Sequence, residues 1–579
     1  MSTPLRARVG LVATLTIAGA SVRKLFDPDL YWHLATGRWI AAHHAIPRAD
    51  PFSYTSNGHW DYSDTLASLY FYASSALGGV PGVEIATALL VGTTALVLLG
   101  LLREEGTETA PSPRMLDAAS AVTLAIWGAA VSFRVGPKAD WFSFLFFAVT
   151  LLAVSRAGAR RSARPLFLLV PVFVLWANAH RGGTFGLVAL GVATCAFFAS
   201  KTTRPLAPRA VLATLAVSLA TIANPVGARY LTAAFDVSTR AAFRAEFPEW
   251  APMQASFLFR VAPAFSLLVV LAALWLVADR KRPLEPLKLI AVLTTALAVY
   301  CVRFAPFAAL ALAPLAVKTV GALAARLARS SFGGVRAPLG ELAAAALALA
   351  IVLGDYAVSV PPPEAGVGVL TWKLPVRASA FLAAHPPPGR MWNSFNFGGY
   401  LLDALGPEQK VFIDGRNDTV YSLAHFEETM RAGRDVAAFD DQVRRFDVTF
   451  VVVECKELEC RPKPWLAERS EWTLVHWDDR ALVLAKRDPR TVDYVRRFGY
   501  PALHADDAVR RVRHLLDDPD ADRLEADVLR YVAEVPDSLR AEYLAAVVHR
   551  LRGRSDEYAA CRARFQILAD ERGVRLRPP

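Results

Sequence analysis

From residue 9 to residue 356 the chain alternates apolar runs with short charged stretches. The runs are 9–26, 80–102, 116–133, 141–155, 166–179, 184–200, 210–223, 257–278, 287–301, 304–318 and 338–356. Several are shorter than the roughly 20 residues of a full membrane span, so those spans must draw on flanking residues. Past residue 356 charges of both signs become dense and the pattern changes. "PVRASAFLAAH" (375–385) predicts a short helix, and "QKVFIDGRND" (409–418) a buried strand ending in an exposed polar turn. "DVTFVVVE" (447–454) predicts a strand rich in β-branched residues, and "RALVLAKR" (480–487) another. Strands mixed with helices predict an α/β domain. After about residue 490, "DDAVRRVRHLLDD", "ADRLEADVLRYVAEV", "SLRAEYLAAVVHRLRG" and "SDEYAACRARFQILADERG" are amphipathic helical pieces suited to stacking as hairpins. The expected fold is mainly α: a polytopic membrane domain (1–356) of about eleven transmembrane helices with a large outer loop at 27–79. An extracytoplasmic α/β domain (357–490) and a helical, TPR-like tail (491–579) follow it.

Composition supports the membrane reading. Of 579 residues, 54% are hydrophobic and 20% charged, whereas a soluble chain carries about a quarter charged residues. The net charge of +11 does not argue for a nucleic-acid partner, because the excess lies in short loops between apolar runs and no basic helix or zinc-finger spacing accompanies it. Cys195 and Cys301 sit inside apolar runs as packing residues, while Cys455 and Cys460 are close enough to pair in an oxidising compartment.

Loop charge sets an orientation. Arg6 and Arg8, "SRAGARRSAR" (155–164), "KTTRPLAPR" (201–209), "DRKRPLEPLK" (279–288) and the stretch holding Lys318, Arg326, Arg329 and Arg336 all fall on one side when eleven spans begin inside. That side is the cytoplasm by the positive-inside rule, which puts the C-terminal domain outside the inner membrane. Arg23 with Lys24, and Arg134 with Lys138, run against the rule. "AGAS" (18–21) also offers a cleavage pattern for a signal peptide; in either case the next residues emerge outside. In the first outer loop, "YWHLATGRWIAAHH" predicts an amphipathic helix on the membrane surface, with Trp32, Leu34 or Ala35, Trp39 and Ile40 on one face. "DTLASLYFYASSAL" (64–77) predicts a second amphipathic or re-entrant helix.

The loop opens with "FDPDLYWHL". Carboxylates at a membrane boundary are costly unless solvated, paired or used. Asp27 and Asp29 stand either side of Pro28, so a turn or extended backbone presents both. One of them could act as a general base, hold a divalent cation such as Mg or Mn, or cap the following helix. A lone His33 is more often packed or hydrogen-bonded than a ligand.

"DPDLYWHLATGRWIAAHHAIPRADPFSYTSNGHW" resembles the first outer loop of a bacterial group of GT-C-type, multi-spanning glycosyltransferase-like proteins, which use polyprenyl-phosphate-linked sugars. "LWANAHRGGTFGL" (175–187), "ANPVGARYL" (223–231), "FPEWAPM" (247–253), "VRFAPF" (302–307) and "NFGGYLL…VFIDGRND" (396–418) are similar to later elements of the group, in order, over most of residues 1–490. The resemblance implies sugar transfer from a polyprenyl phosphate or diphosphate to an envelope glycan, lipid or protein acceptor at the outer face. It implies Asp29 as base, with Asp27 as alternate or metal ligand. His33 or His180 would steady the donor phosphate, helped by Arg181, Arg134, Lys138 or Arg303, while Glu249 is equally a loop-structuring group. Asp414, Arg416 and Asp418 of "IDGRND" are expected to hold the soluble domain against the mouth of the membrane domain.

Two departures stand out. Ser63, Asp64 and Thr65 replace the group's His-Glu-Trp, and "RVGPKADWFS" (134–143) replaces its Arg-Pro-Gln, so Asp64 enters the site where the group has glutamate. The competing reading is a non-catalytic assembly or scaffolding protein of envelope polysaccharide synthesis, whose tail binds a protein partner. A transporter would place charge and broken helices at mid-membrane with repeat symmetry, which this sequence lacks.

Overall fold

The computed structural model describes residues 8–58, 60–232, 241–281, 284–329, 337–455 and 471–575. Two compact units result. The first combines Met1–Leu25 with Tyr62–Gly368; the second combines Phe26–Asp61 with Val369–Pro579. The segment read as the first outer loop thus divides, and its first part, with the helix α2 (Pro28–His43), folds with the C-terminal residues.

The first unit is helical. Its helices are α1 (Arg8–Ala20), α3 (Thr65–Gly106), α4 (Pro113–Val131), α5 (Asp140–Arg160), α6 (Arg164–Ala177), α7 (Gly183–Ala199) and α8 (Ala207–Ala220). After them come α9 (Pro263–Ala278), α10 (Pro286–Tyr300), α11 (Ala305–Arg329) and α12 (Ala337–Ser359). Every apolar run of the sequence overlaps one of these helices. Among the described residues five helical stretches are long and apolar enough to cross a membrane: Thr65–Gly106, Pro113–Arg134, Asp140–Arg160, Val302–Arg329 and Leu339–Ser359. Only 11% of the apolar window of Leu339–Ser359 is buried in protein, and an outward apolar face of that length needs lipid around it.

The pieces 64–77 and 80–102 are two helical segments of α3 that meet at a kink. Gly79 takes φ 59°, ψ −143° and Pro81 follows it, so the backbone bends where a left-handed residue and a missing N–H coincide. Small residues let the helices approach: a Cβ on Gly128 of α4 would lie 2.8 Å from Ile17 of α1, the close-packing device of membrane helices. The polar groups collect at two ends. At one, Arg103 pairs with Asp117 at 2.5 Å, Arg156 with Glu104 at 2.6 Å and Lys318 with Glu105 at 2.8 Å. At the other, Arg23 Nη1 donates to the Ser132 carbonyl at 3.0 Å and Leu66 N to the Asn178 carbonyl at 2.8 Å.

The second unit contains a four-stranded sheet of order β1 (Arg390–Asn393), β2 (Val448–Glu454), β4 (Ala481–Lys486), β3 (Trp472–Trp477). β1 runs parallel to β2; β4 is antiparallel to both its neighbours. Around it lie α13 (Val376–Ala384), α14 (Phe395–Leu405), α15 (Leu423–Ala432) and α16 (Val436–Arg445). The expected strand at 409–418 is reduced to a single bridge between Val411 and Ser53. The Asn393 side chain takes the place of a strand partner, accepting from Phe412 N and donating to the Ile413 carbonyl, both at 2.8 Å. The tail forms α17 (Val492–Phe498), α18 (Ala508–Arg513), α19 (Ala521–Glu534), α20 (Leu539–Leu551) and α21 (Ser555–Glu571). It is bound to the sheet: Asp479 accepts from Leu539 N at 2.7 Å, and Arg540, 1% exposed, lies over the Trp477 ring at 4.6 Å. Cys460 lies outside the described residues, and with it the expected pairing with Cys455.

The helix α2 forms as expected, but its aromatic face is covered by protein. Leu30 through Gly37 are all buried, and α2 packs on α14. The glycine pair of "NFGGYLL" makes this possible. A Cβ on Gly399 would lie 2.3 Å from the Pro28 carbonyl, and one on Gly398 would lie 2.0 Å from that of Ile413. Tyr400 then meets Tyr31 edge-on at 4.5 Å.

Candidate functional site

Two groups of side chains carry the candidate chemistry, one in each unit. In the membrane unit, the last turn after α4 (Ser132–Arg134) presents Arg134, and Asp140 opens α5. The turn Pro248–Trp250 presents Glu249, and the turn Val302–Phe304, just before α11, presents Arg303. Arg134 donates to both Asp140 and Glu249, and Arg303 donates to the other oxygen of Glu249. The Trp250 ring lies under the Arg303 guanidinium at 4.8 Å, a cation–π contact. Arg134 and Asp140 are 6% and 5% exposed, yet Arg134 Nε and Asp140 Oδ1 have no partner among the described residues. Burial alone would raise the Glu249 carboxyl, but Arg303 and Arg134 pull it down to about 2. Lys138 lies within electrostatic reach of the same carboxylate.

His180 sits in the loop between α6 and α7. Trp176 Nε1 donates to Ser143 Oγ at 2.7 Å, and that hydroxyl lies 2.7 Å from His180 Nδ1. Gly182 N also donates to Nδ1, at 3.2 Å. With the hydroxyl proton and an amide both directed at Nδ1, the ring proton belongs on Nε2 and the imidazole is neutral. Burial, the largest effect, pushes His180 down to about 4, with Asp140 opposing and Arg303, Arg181 and Arg134 assisting. His180 can therefore donate a hydrogen bond without contributing charge. Tyr230 fixes this loop, accepting from Gly183 N at 3.0 Å and donating to the His180 carbonyl at 2.8 Å. Asn224 accepts from Val226 N and Gly227 N, so the Asn-Pro-x-Gly element is a side-chain-stabilised turn with Gly227 at φ 63°. Asp64, at the N-terminus of α3, accepts from Ser63 Oγ at 3.0 Å and lies within electrostatic reach of Tyr230.

Beside Arg303 the wall becomes apolar. Phe185 and Val188 of α7, Ile290 and Leu297 of α10, and Phe304 and Phe307 line a narrow apolar groove with about 10 Å³ of free space. Phe185 packs on Phe304 at 4.6 Å, so one turn of chain carries a cation at residue 303 and a groove wall at residue 304.

In the second unit Asp27 is an N-cap, accepting from Asp29 N at 3.0 Å. Asp29, half-buried, reaches the "IDGRND" turn: a Cβ on Gly415 would lie 2.2 Å from its Oδ1 and 3.8 Å from Trp32 Nε1. His33 is 2% exposed and stacks on Trp32 at 3.6 Å. The turn itself is not exposed. Asp414 and Arg416 are 0% and 3% exposed, and Arg416 binds Asp414 and Asp50 while Tyr421 Oη donates to Asp414 at 2.6 Å. Their mutual neutralisation is what lets so polar a stretch be buried.

The structure thus brings Arg134, Glu249 and Arg303 into contact, with Lys138, His180 and Arg181 nearby, and sets Asp27, Asp29 and His33 together on α2. Sequence reasoning missed Asp140 and Asp50. A carboxylate six residues after an arginine at a span boundary was the available signal for the first; the second lay in the "IPRADPFS" part of the loop that carries the resemblance and was not singled out. Among the described residues no three His, Cys, Asp or Glu side chains come together as a metal site.

No family model and no curated protein matches the chain. Solved structures do. The archaeal oligosaccharyltransferase AglB from Archaeoglobus fulgidus, in complex with an inhibitory peptide and a dolichol-phosphate, aligns with a TM-score of 0.54 at 13% identity, over 78% of this chain and 69% of its own. The Archaeoglobus fulgidus oligosaccharyltransferase in the apo form aligns at 0.51 and 14% identity, over 80% and 71%. ArnT from Cupriavidus metallidurans bound to undecaprenyl phosphate aligns at 0.47 and 15% identity, over 83% and 97%. At these identities the likeness is one of architecture, and on the first two the chain has the fold of GT-C-type membrane glycosyltransferases.

Proposed function

We propose that the protein is a membrane glycosyltransferase that takes a sugar from a polyprenyl-phosphate or polyprenyl-diphosphate donor and passes it to an envelope acceptor. Transfer takes place on the extracytoplasmic side, with the N-terminus cytoplasmic and the second unit outside. One observation carries this reading: two arginines and a neutral histidine donor gather at the end of the spans beside an apolar groove, with Arg303 and Phe304 as adjacent residues. That juxtaposition suits an amphiphile with a long apolar chain and an anionic head. Arg134 and Arg303, with Lys138 and Arg181 near, would offset charge on the leaving phosphate, and His180 would donate to it from Nε2.

Asp29 is the proposed base. Its carboxylate would take the proton of the acceptor hydroxyl as that oxygen bonds to the anomeric carbon. The carbon–oxygen bond to phosphate breaks in the same displacement, inverting the centre and releasing the lipid phosphate as an anion. Asp27, spent as a cap, would position Asp29 rather than react. That cap also favours the second reading, a non-catalytic assembly protein with a partner-binding tail, since it gives the Asp-Pro-Asp motif a structural purpose. Membranes containing Asp29→Asn separate the two: normal abundance with lost sugar transfer supports the enzyme, and unchanged transfer overturns it.

A further inference from the structure

Glu249 is an unusual neighbour for a phosphate site, because its carboxylate already occupies the two arginines. Its Oε2 accepts from Arg134 and its Oε1 from Arg303. A carboxylate bridging two guanidinium groups in this way presents the same pair of oxygens as a phosphate held between them. We infer that Glu249 is an internal stand-in for the ligand's phosphate, and that a phosphate-bearing lipid binds by displacing it from Arg134 and Arg303. The inference rests on the reading of this cluster as a head-group site and adds how that site is guarded.

Four observations carry it. Asp140 already pairs with Arg134, so Glu249 is not required to neutralise that buried cation. Arg134 Nε, in a residue 6% exposed, has no acceptor among the described residues. Both Glu249 oxygens are committed elsewhere, and a phosphate brings further oxygens able to take that N–H. Exposure is graded: the Glu249 side chain is 35% exposed against 7% for Arg134 and 26% for Arg303. The anion is therefore the member facing out, and the arginines form the floor. Finally, Glu249 rides on a short turn whose following residues are tied to the end of α10 by Met253 N to the Val299 carbonyl at 3.0 Å and Val302 N to the Ala251 carbonyl at 3.1 Å. The side chain can swing out while that backbone tie remains.

With its carboxyl held near 2, Glu249 is anionic at any physiological pH, so displacement rather than protonation must empty the site. The competition also bears on ligand choice. An anion of weak charge or without an apolar chain gains less from the exchange than a lipid phosphate, which adds groove burial against Phe304 and Phe307.

The test uses the full chain in detergent, with a C55 polyprenyl phosphate and inorganic phosphate as separate probes in isothermal titration. Glu249→Gln keeps the shape and removes the charge, and should bind the polyprenyl phosphate about tenfold more tightly than the native protein. Glu249→Asp keeps the charge and should not gain. Equal or weaker binding by Glu249→Gln, in protein whose thermal melt is native-like, overturns the inference, as does an equal gain by Glu249→Asp. A gain confined to the lipid assigns the site to a lipid head group; an equal gain for inorganic phosphate supports the exchange and assigns it to free phosphate. Titration needs no sugar transfer, so the expected ratio in a protein that moves no sugar upholds this inference while the transferase reading falls. Absence of phosphate binding by every form overturns both.

Discussion

The Arg416 guanidinium closes on the Asp50 carboxylate, Nη1 to Oδ1 at 2.5 Å, across 366 positions of sequence. Both side chains are essentially inaccessible, and the Trp60 ring lies 4.7 Å from the same guanidinium. This contact ties the segment after α2 to the "IDGRND" turn within the second unit. Removing Arg416 leaves the buried Asp50 and Asp414 carboxylates without their cation, at a cost of about 3–5 kcal/mol, whereas removing Asp50 leaves Arg416 paired with Asp414.

Arg416→Gln should therefore lower the thermal midpoint of the solubilised protein by roughly 10 °C, and Asp50→Asn, which leaves the Arg416–Asp414 pair in place, should lower it less. The double variant should fall well short of the sum, because the two changes remove one shared interaction. Additive losses, read by differential scanning fluorimetry, would show that the pair is not the tie described.

Gly415→Ala separates position from stability. The added Cβ would meet Asp29 Oδ1 at 2.2 Å, the far end of a side chain that can turn away. We expect a melt close to native and a loss of transfer of about a hundredfold, the scale of an ångström's misplacement of a reacting group. Native transfer rates in Gly415→Ala would remove Asp29 from the reaction.

Much of this was legible in the sequence. Apolar runs located the long apolar helices of the membrane unit, because burial in lipid demands long apolar stretches irrespective of tertiary detail; the short polar helix Ala241–Glu246 lies outside them. The pieces 64–77 and 80–102 were read as separate helices, and Gly79, whose φ and ψ are not helical, parts them just before Pro81. The loop cations that defied the positive-inside rule, Arg23 and Arg134, are held by Ser132, Asp140 and Glu249. What could not be read was pairing at a distance: Glu249 lies 115 positions from Arg134, and only the fold brings the carboxylate there. "IDGRND" looked exposed because it is polar, yet Arg416 is buried in ion pairs with Asp414 and the distant Asp50. Trp32 and its neighbours looked lipid-facing because "NFGGYLL", the surface that covers them, lies far along the chain.

Acidity gives a further check. Burial, opposed by Arg38, pushes the Asp403 carboxyl up from 3.8 to about 6. Between about pH 4 and pH 6 the unfolded chain ionises this group while the folded chain keeps its proton, so folding loses stability as pH rises through that window. The full penalty, about 3 kcal/mol, holds above pH 6. Asp403→Asn cannot ionise, so its melting temperature relative to native should climb between pH 4 and pH 7. A difference independent of pH would refute the assignment.

The most direct test of the central claim is sugar transfer by purified protein in lipid vesicles, supplied with a panel of polyprenyl-phosphate-linked sugars and an envelope extract as acceptor. The native chain should release polyprenyl phosphate and label the acceptor. Asp29→Asn, at native abundance and with a native melt, should transfer at least about a hundredfold more slowly, and Asp27→Asn should retain more activity than Asp29→Asn. Undiminished transfer by the Asp27→Asn, Asp29→Asn double variant would contradict the account.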